Sequence, residues 1–177
     1  MLKCVLLDSN IVIEAYLLGI WEKLIKRVEI SVSSIVAHTE SLFYVRKEGR
    51  IPDAINLKSL IDEGKIKEFS ASSKDLSELY NRFDRVFIEG IHDGEAECLA
   101  LIMKQRIKGT LFCSGDAAAI QALAMLGRSE DGISFETLLK SEGLQQKLRR
   151  QFTEKFFKEN LNRGFQNRIT QTGLRKK

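Results

Sequence analysis

The stretch LKCVLLDSNIVIEAYLLG, residues 2–19, decides the fold class. From Leu2 to Asp8 it is apolar apart from Lys3 and ends in an acid, the pattern of a short buried strand. From Ser9 onward it reads as a helix, and Gly19 stands where a C-cap is expected. The alternation continues outward. Helices are expected over Trp21 to Arg27, over SIVAHTESLFYVRKEG from a Ser33 or Ser34 cap to Gly49, and from Asp53 to Glu63 before Gly64. Ser72 or Ser73 should cap one long amphipathic helix, KDLSELYNRFDRVFIEG, with Leu76, Leu79, Tyr80 and Phe83 on one face. GEAECLALIMKQR and AAAIQALAMLG are further helices, the second stopped by Gly127. VEISV, KIKEFSA and GTLFCSGD read as strands, and ISFETLLKS as a strand leading into a short helix. Strands alternating with helices predict an α/β fold with a parallel sheet and helices on both faces.

Composition sets the outer bounds. A chain of 177 residues, 44% hydrophobic and 29% charged, is long enough for one cored domain. Its apolar runs fall short of the roughly 18 residues of a membrane span. The run before Asp8 is too short for a signal-peptide core, so no membrane association and a cytoplasmic location are expected. Cys4, Cys98 and Cys113 form no CxxC pair, which predicts free thiols in a reducing compartment and gives no indication of zinc.

Charge is unevenly placed. Residues 145–177 carry ten Lys and Arg against two Glu, while the rest carries 18 basic against 22 acidic residues. The net charge of +4 therefore hides an acidic body, residues 1–142, and a basic extension, residues 143–177. In the extension Leu144, Leu148, Phe152 and Phe156 recur every four residues, as on a helix that docks on the domain or on a second subunit. Beyond Leu161, the basic residues Arg163, Arg168, Arg175, Lys176 and Lys177 lie in a polar stretch expected to be flexible and able to track phosphates.

No GxGxxG, GxxxxGK[ST] or GxSxG motif is present. The two histidines, His38 and His92, read as surface or satisfied polar groups. What remains is acids at strand ends. Asp8 closes the first strand and Asp116 follows the strand GTLFC, so both should reach one crevice beyond the carboxyl ends of a parallel sheet. Glu40 and Glu95 lie among core residues, where a solvated charge is out of place. Two carboxylates ~5 Å apart repel by about 3 kcal/mol at an effective dielectric near 20. Such a cluster persists by taking up protons or a cation, and oxygen ligands alone suit Mg²⁺ or Mn²⁺. A cation of this kind can activate water and stabilise charge on a phosphoryl oxygen, the chemistry of phosphodiester hydrolysis.

In that order, VLLDSNIVIEA, SSIVAHTESLFY, HDGEAECLALI and LFCSGDAAAIQALAMLG resemble the signature of the PIN domain family, most closely prokaryotic members such as the VapC-type toxins. The likeness covers about Leu2 to Glu142. It implies a three-layer α/β/α fold and a metal-dependent ribonuclease acting on RNA. It also implies Asp8, Glu95 and Asp116 as metal ligands, with Glu40 completing the acidic pocket and Asn10 and Ser114 supporting it. Asp93, Glu95 and Glu97 compete for the third acid. Glu95 is favoured because GEAE-type members carry their acid there, leaving Asp93 as the competing ligand or a helix cap and Glu97 as a solvated neighbour. Local capping is the other reading of Asp8, Asp116, Asn10 and Ser114. The resemblance further implies a homodimer and, for a toxin, an antitoxin partner. Two alternatives stand beside it: a PIN-like binding or assembly module without hydrolysis, and a receiver-type signalling domain. The second wants a lysine after a later strand that Ile133 to Phe135 does not supply.

Overall fold

A computed structural model describes residues 4–45 and 51–176. In chain order its regular elements begin with β1 (Cys4–Leu7), α1 (Ser9–Leu17), α2 (Trp21–Leu24) and β2 (Ile30–Ser33). A π-helical turn (Val36–Glu40), β3 (Phe43–Tyr44), β4 (Asp53–Ala54), α3 (Leu57–Asp62) and β5 (Lys67–Phe69) follow. Then come α4 (Ser73–Tyr80), α5 (Arg85–Ile88), α6 (Asp93–Met103), β6 (Thr110–Cys113) and α7 (Ala117–Met125). The chain closes with β7 (Gly132–Ile133), α8 (Phe135–Ser141) and α9 (Glu154–Thr170).

Five strands form one parallel sheet in the order β5-β2-β1-β6-β7. Consecutive strand residues point to opposite faces, and Val5, Leu6 and Leu7 are all fully buried. Both faces of the sheet are therefore covered, as a parallel sheet flanked by helices requires. The chain builds outward from β1 through β2 to β5, then returns to place β6 and β7 on the other side of β1. The strand order thus reverses between β1 and β6, and the crevice beyond their carboxyl ends is the natural site of such a sheet. Among the described residues no helix is long and apolar enough to cross a membrane. Cys4, Cys98 and Cys113 are free, and burial raises the thiol pKa of Cys98 and Cys113 well above the ordinary value.

Three expected helices are shorter or broken. The helix expected to run to Gly49 ends at Glu40, where Ser41 N–H reaches back to the Val36 carbonyl and the chain turns into β3; residues 46–50 lie outside the described residues. The helix expected from Asp53 begins only at Leu57, with Asn56 accepting from Ser59 N–H, because Asp53 and Ala54 pair with Tyr44 and Phe43. The long amphipathic helix divides into α4 and α5: Asp84 accepts from Phe87 N–H and starts a new helix, while Phe83 turns inward and is 3% exposed.

The basic extension also departs from expectation. Leu144, Leu148 and Phe152 precede α9, so the four-residue recurrence is not one helical stripe. Leu144 and Phe152 are nonetheless buried, and Phe152 meets Phe135 edge-on at 6.1 Å. The stretch beyond Leu161 is not a flexible tail: α9 continues to Thr170 along α7, and Leu174 pairs with Phe83. Gln121 Nε2 donates to Asn160 Oδ1 at 3.0 Å across the α7–α9 contact. A Cβ at Gly164 would stand 2.4 Å from the Gln121 carbonyl oxygen and 2.7 Å from Ala124 Cβ. Backbone cannot yield as a side-chain tip can, so Gly164→Ala must lift α9 from α7. We expect a loss of about 1–3 kcal/mol in denaturant unfolding, and unchanged stability would show that α9 is not held against the body. Truncation after Asn162 is likewise expected to disturb the body, because it removes this contact together with Leu174.

Candidate active site

Four acids from four separate segments meet at the switch between β1 and β6. Asp8 follows β1 and is fully buried. Its Oδ1 accepts from Ser9 N–H at 2.6 Å, capping α1, and its Oδ2 accepts from Ser114 Oγ at 2.7 Å. Ser114 Oγ in turn accepts from Asp116 N–H at 3.0 Å. Asn10 Oδ1 accepts from Gly115 N–H at 3.1 Å, which ties the loop after β6 to the first turn of α1. Asp116 caps α7 by accepting from Ala118 and Ala119 N–H at 2.7 and 3.0 Å. Capping and site geometry coincide at Asp116: a helix that starts after a strand needs an acceptor at its first turn, and this carboxylate also lines the crevice, while Asp8 lies buried behind it.

Glu40 ends the π-helical turn, and its Oε1 accepts from Gly94 N–H at 3.0 Å. Its Oε2 is buried without a hydrogen-bond partner. Glu95, in the first turn of α6, accepts from His92 N–H through Oε2 at 3.1 Å, and its Oε1 is 3.6 Å from His92 Nδ1. Ser9, Asn10, Glu40, His92, Glu95 and Asp116 line one open cavity of about 400 Å³. Burial pushes Asp8 up to about 6 against the hydrogen bonds from Ser114 and Ser9, and the charges of Glu40 and Asp116 push the same way. Burial, then the charges of Asp8 and Asp116, push Glu95 up to about 9 against the His92 N–H, and Glu40 adds to the rise. The four carboxylates therefore share one electrostatic field. Comparison of the chain with protein-family models, curated proteins and solved structures found no match.

The donor set consists of hard oxygens. An orphaned Glu40 Oε2 and two carboxyls whose pKa burial and neighbouring charges raise make a cluster that a divalent cation would relieve. On that chemistry the residues fit a divalent cation, although among the described residues no three His, Cys, Asp or Glu side chains stand ready around one ion. The competing acids separate cleanly. Asp93 is exposed, lies in the first turn of α6 without being its cap, and its charge bears on Tyr80. Glu97 is not the solvated neighbour expected: at 3% exposed it accepts from Ser34 Oγ at 2.8 Å, Ile35 N–H at 2.9 Å and Ala71 N–H at 3.1 Å. It holds the start of the turn that carries Glu40. Of the residues expected to contact RNA, Arg163 is exposed on α9, Arg168, Arg175 and Lys176 line a cavity near the other end of α7, and Lys177 lies outside the described residues.

Two residues here had no clear signal in the sequence. His92 is a surface histidine as expected, yet it lines the acidic cavity. Gly94 is needed because a Cβ there would stand 2.2 Å from Glu40 Oε2. Gly94→Ala should displace the Glu40 side chain with little effect on unfolding, since a flexible side-chain end gives way. Any activity of the site should fall as far as in Glu40→Gln, and parallel assays of both variants check this.

Proposed function

We propose that the chain is a Mg²⁺- or Mn²⁺-dependent endoribonuclease with a PIN-like fold. The observation that carries the reading is the convergence of Glu40, Glu95 and Asp116 on one cavity, with Asp8 buried within reach of their charges and a buried, unpartnered Glu40 oxygen. Asp8, Glu95 and Asp116 would hold the cation, and Glu40 would complete the negative field. When bound, the cation supplies Lewis-acid stabilisation of charge on a phosphoryl oxygen. Ser114 orients Asp8 and links it to the Asp116 backbone, and Asn10 fixes the Gly115 peptide between them. An acidic cavity repels phosphate, so basic groups outside it must hold the strand.

The test is cleavage of a mixed RNA panel with Mg²⁺ or Mn²⁺ and again in excess chelator. Cleavage that survives the chelator in pure protein sinks the metal-dependent reading. Glu95→Gln should lose activity about as completely as removal of the cation, whereas Asp93→Asn should keep most of it. The opposite ranking would move the third ligand to Asp93.

One observation favours a second reading, a PIN-like nucleic-acid-binding or assembly module without hydrolysis. Asp8 is fully buried with both oxygens already hydrogen-bonded. RNA binding without cleavage under any divalent cation would select that reading. A toxin role, with a cognate antitoxin and a homodimer, belongs to the nuclease proposal and is tested by growth arrest on expression, relieved by a co-encoded partner.

A further inference from the structure

A second cavity, of about 630 Å³, opens where α6, α7 and α9 end. The carboxylates lie at the opposite ends of α6 and α7, so the length of these helices, about 15 Å at 1.5 Å per residue, separates the two openings. Five cationic side chains line the second one: Arg82, Arg128, Arg168, Arg175 and Lys176. No acid lines it among the described residues.

Some of this charge is already committed. Arg128 Nε lies 3.1 Å from Asp131 Oδ2, and Nη2 donates to the Ile102 carbonyl at 3.0 Å. The Arg175 guanidinium donates to Asn81 Oδ1, and its backbone N–H donates to the Arg82 carbonyl at 3.0 Å, which ties the end of the chain across the cavity. Arg168 has a reason of its own. Its guanidinium covers Gly127 just past the end of α7, where helix carbonyls carry partial negative charge. Arg82 likewise follows the C-cap of α4, but no helix end accounts for Lys176 or for the gathering of these cations at one opening. Arg82 and Lys176 have no ion-pair partner among the described residues, and folding brings Arg82 from a distant part of the chain beside Arg168, Arg175 and Lys176.

Four of the five cations are arginines, whose planar fork matches the oxygens of a phosphate. Met103, Leu126 and Leu174 give the cavity apolar wall, and Asn81 and Gln171 add amides. A volume of this size suits a compact ligand. We propose that this cavity binds a nucleoside phosphate, either free or as the phosphorylated end of an oligonucleotide. The guanidinium groups take the phosphate and the methionine and leucine wall takes the base. This site is separate from the carboxylates and stands whether or not they cleave RNA.

The test uses the full chain in chelator, so that metal-dependent cleavage is silent. It is titrated calorimetrically with ADP, with a 5′-phosphorylated tetranucleotide, with the same strand lacking the phosphate, and with an oligoglutamate peptide. Saturable binding of ADP or the phosphorylated strand, about tenfold or more tighter than the unphosphorylated strand, is expected. The tighter of the two identifies the source of the phosphate. Arg82→Gln and Arg168→Ala should each weaken this binding about tenfold. Arg82→Gln is the decisive variant, because the Arg82 side chain is not tied to an acid and its loss should leave the unfolding midpoint in place. Failure to saturate, equal binding of the unphosphorylated strand, preference for the peptide, or indifference to Arg82→Gln would each overturn the proposal.

Discussion

Asp8→Asn is expected to lower metal-dependent RNA cleavage by about a thousandfold or more, since a cation at a reacting phosphoryl group contributes several kcal/mol. The substitution keeps the shape of the side chain. Its remaining oxygen can still accept from Ser9 N–H, so the start of α1 survives. What is lost is a buried charge that acts on the carboxylates lining the cavity. Stability should move the other way. The Asp8 carboxyl is pushed from 3.8 to about 6 by burial, so holding it ionised at neutral pH costs about 3 kcal/mol. Weakening its hydrogen bond with Ser114 returns about 1–2 kcal/mol of that. The metal-free variant should therefore be as stable as the parent or slightly more so. A variant that loses both activity and several degrees of thermal midpoint would show that Asp8 serves the fold as a cap, and that its effect on cleavage is indirect.

The second large effect is on pH dependence. Asp8 and Glu95 have folded-state pKa values raised to about 6 and about 9, above their ordinary values. Their contribution to stability is fully present below the ordinary carboxylate range, where both are protonated in either state. It declines as pH rises, because the folded chain then binds protons that the unfolded chain has released. Metal-free protein should thus lose stability from about pH 4 to about pH 6 through Asp8 and on toward pH 9 through Glu95. Asp75 acts in the opposite sense: the Arg106 side chain holds its carboxyl low, so its contribution is present above the ordinary range and disappears only as pH falls below it. The two windows do not overlap. Thermal midpoints at pH 5, 7 and 9 should fall in the parent, fall much less in Glu95→Gln, and be restored by Mn²⁺ at the higher pH. Midpoints that rise steadily across this range would contradict the acidic cluster.

Much of the architecture was legible because it rests on local order along the chain. Short apolar runs ending at Asp8 and before Asp116, each followed by a helix pattern, were enough to expect a parallel sheet with two acids at strand ends. β1, β6 and their helices lie where that pattern puts them. Some caps were legible for the same reason, since a cap involves residues two or three positions apart, as with Ser72 and Asp75, although Asn56 and Asp84 were not. Helix ends set by distant pairing were not. The break after Tyr80 depends on Phe83 meeting Leu174, and the late start of α3 depends on Asp53 and Ala54 pairing with β3.

The same division runs through the site. Local pattern picked out Asp8 and Asp116 as acids at strand ends and Glu40 and Glu95 as misplaced charges, but it could not distinguish Glu95 from Glu97, two residues apart on one helix. Their fates differ because Glu95 faces a cavity of like charges, while Glu97 finds donors from Ser34, Ile35 and Ala71. A buried carboxylate is stabilised by donors that the chain delivers from elsewhere, here from 26 to 63 residues away, and no window of sequence contains them. The contact between Glu40 and Gly94, 54 residues apart, is of the same kind. Beyond Leu161, composition alone predicts a flexible charged stretch. Yet a helix with few apolar residues can still dock if a glycine lets its backbone approach, and Gly164 against Gln121 and Ala124 does so. Residue order along the chain determined which segments become strands and helices and where acids stand at their ends. Only the tertiary structure decided which charges are buried, which carboxylates share a field, and which end of the molecule gathers the arginines, because each of those depends on distances between residues that the chain separates.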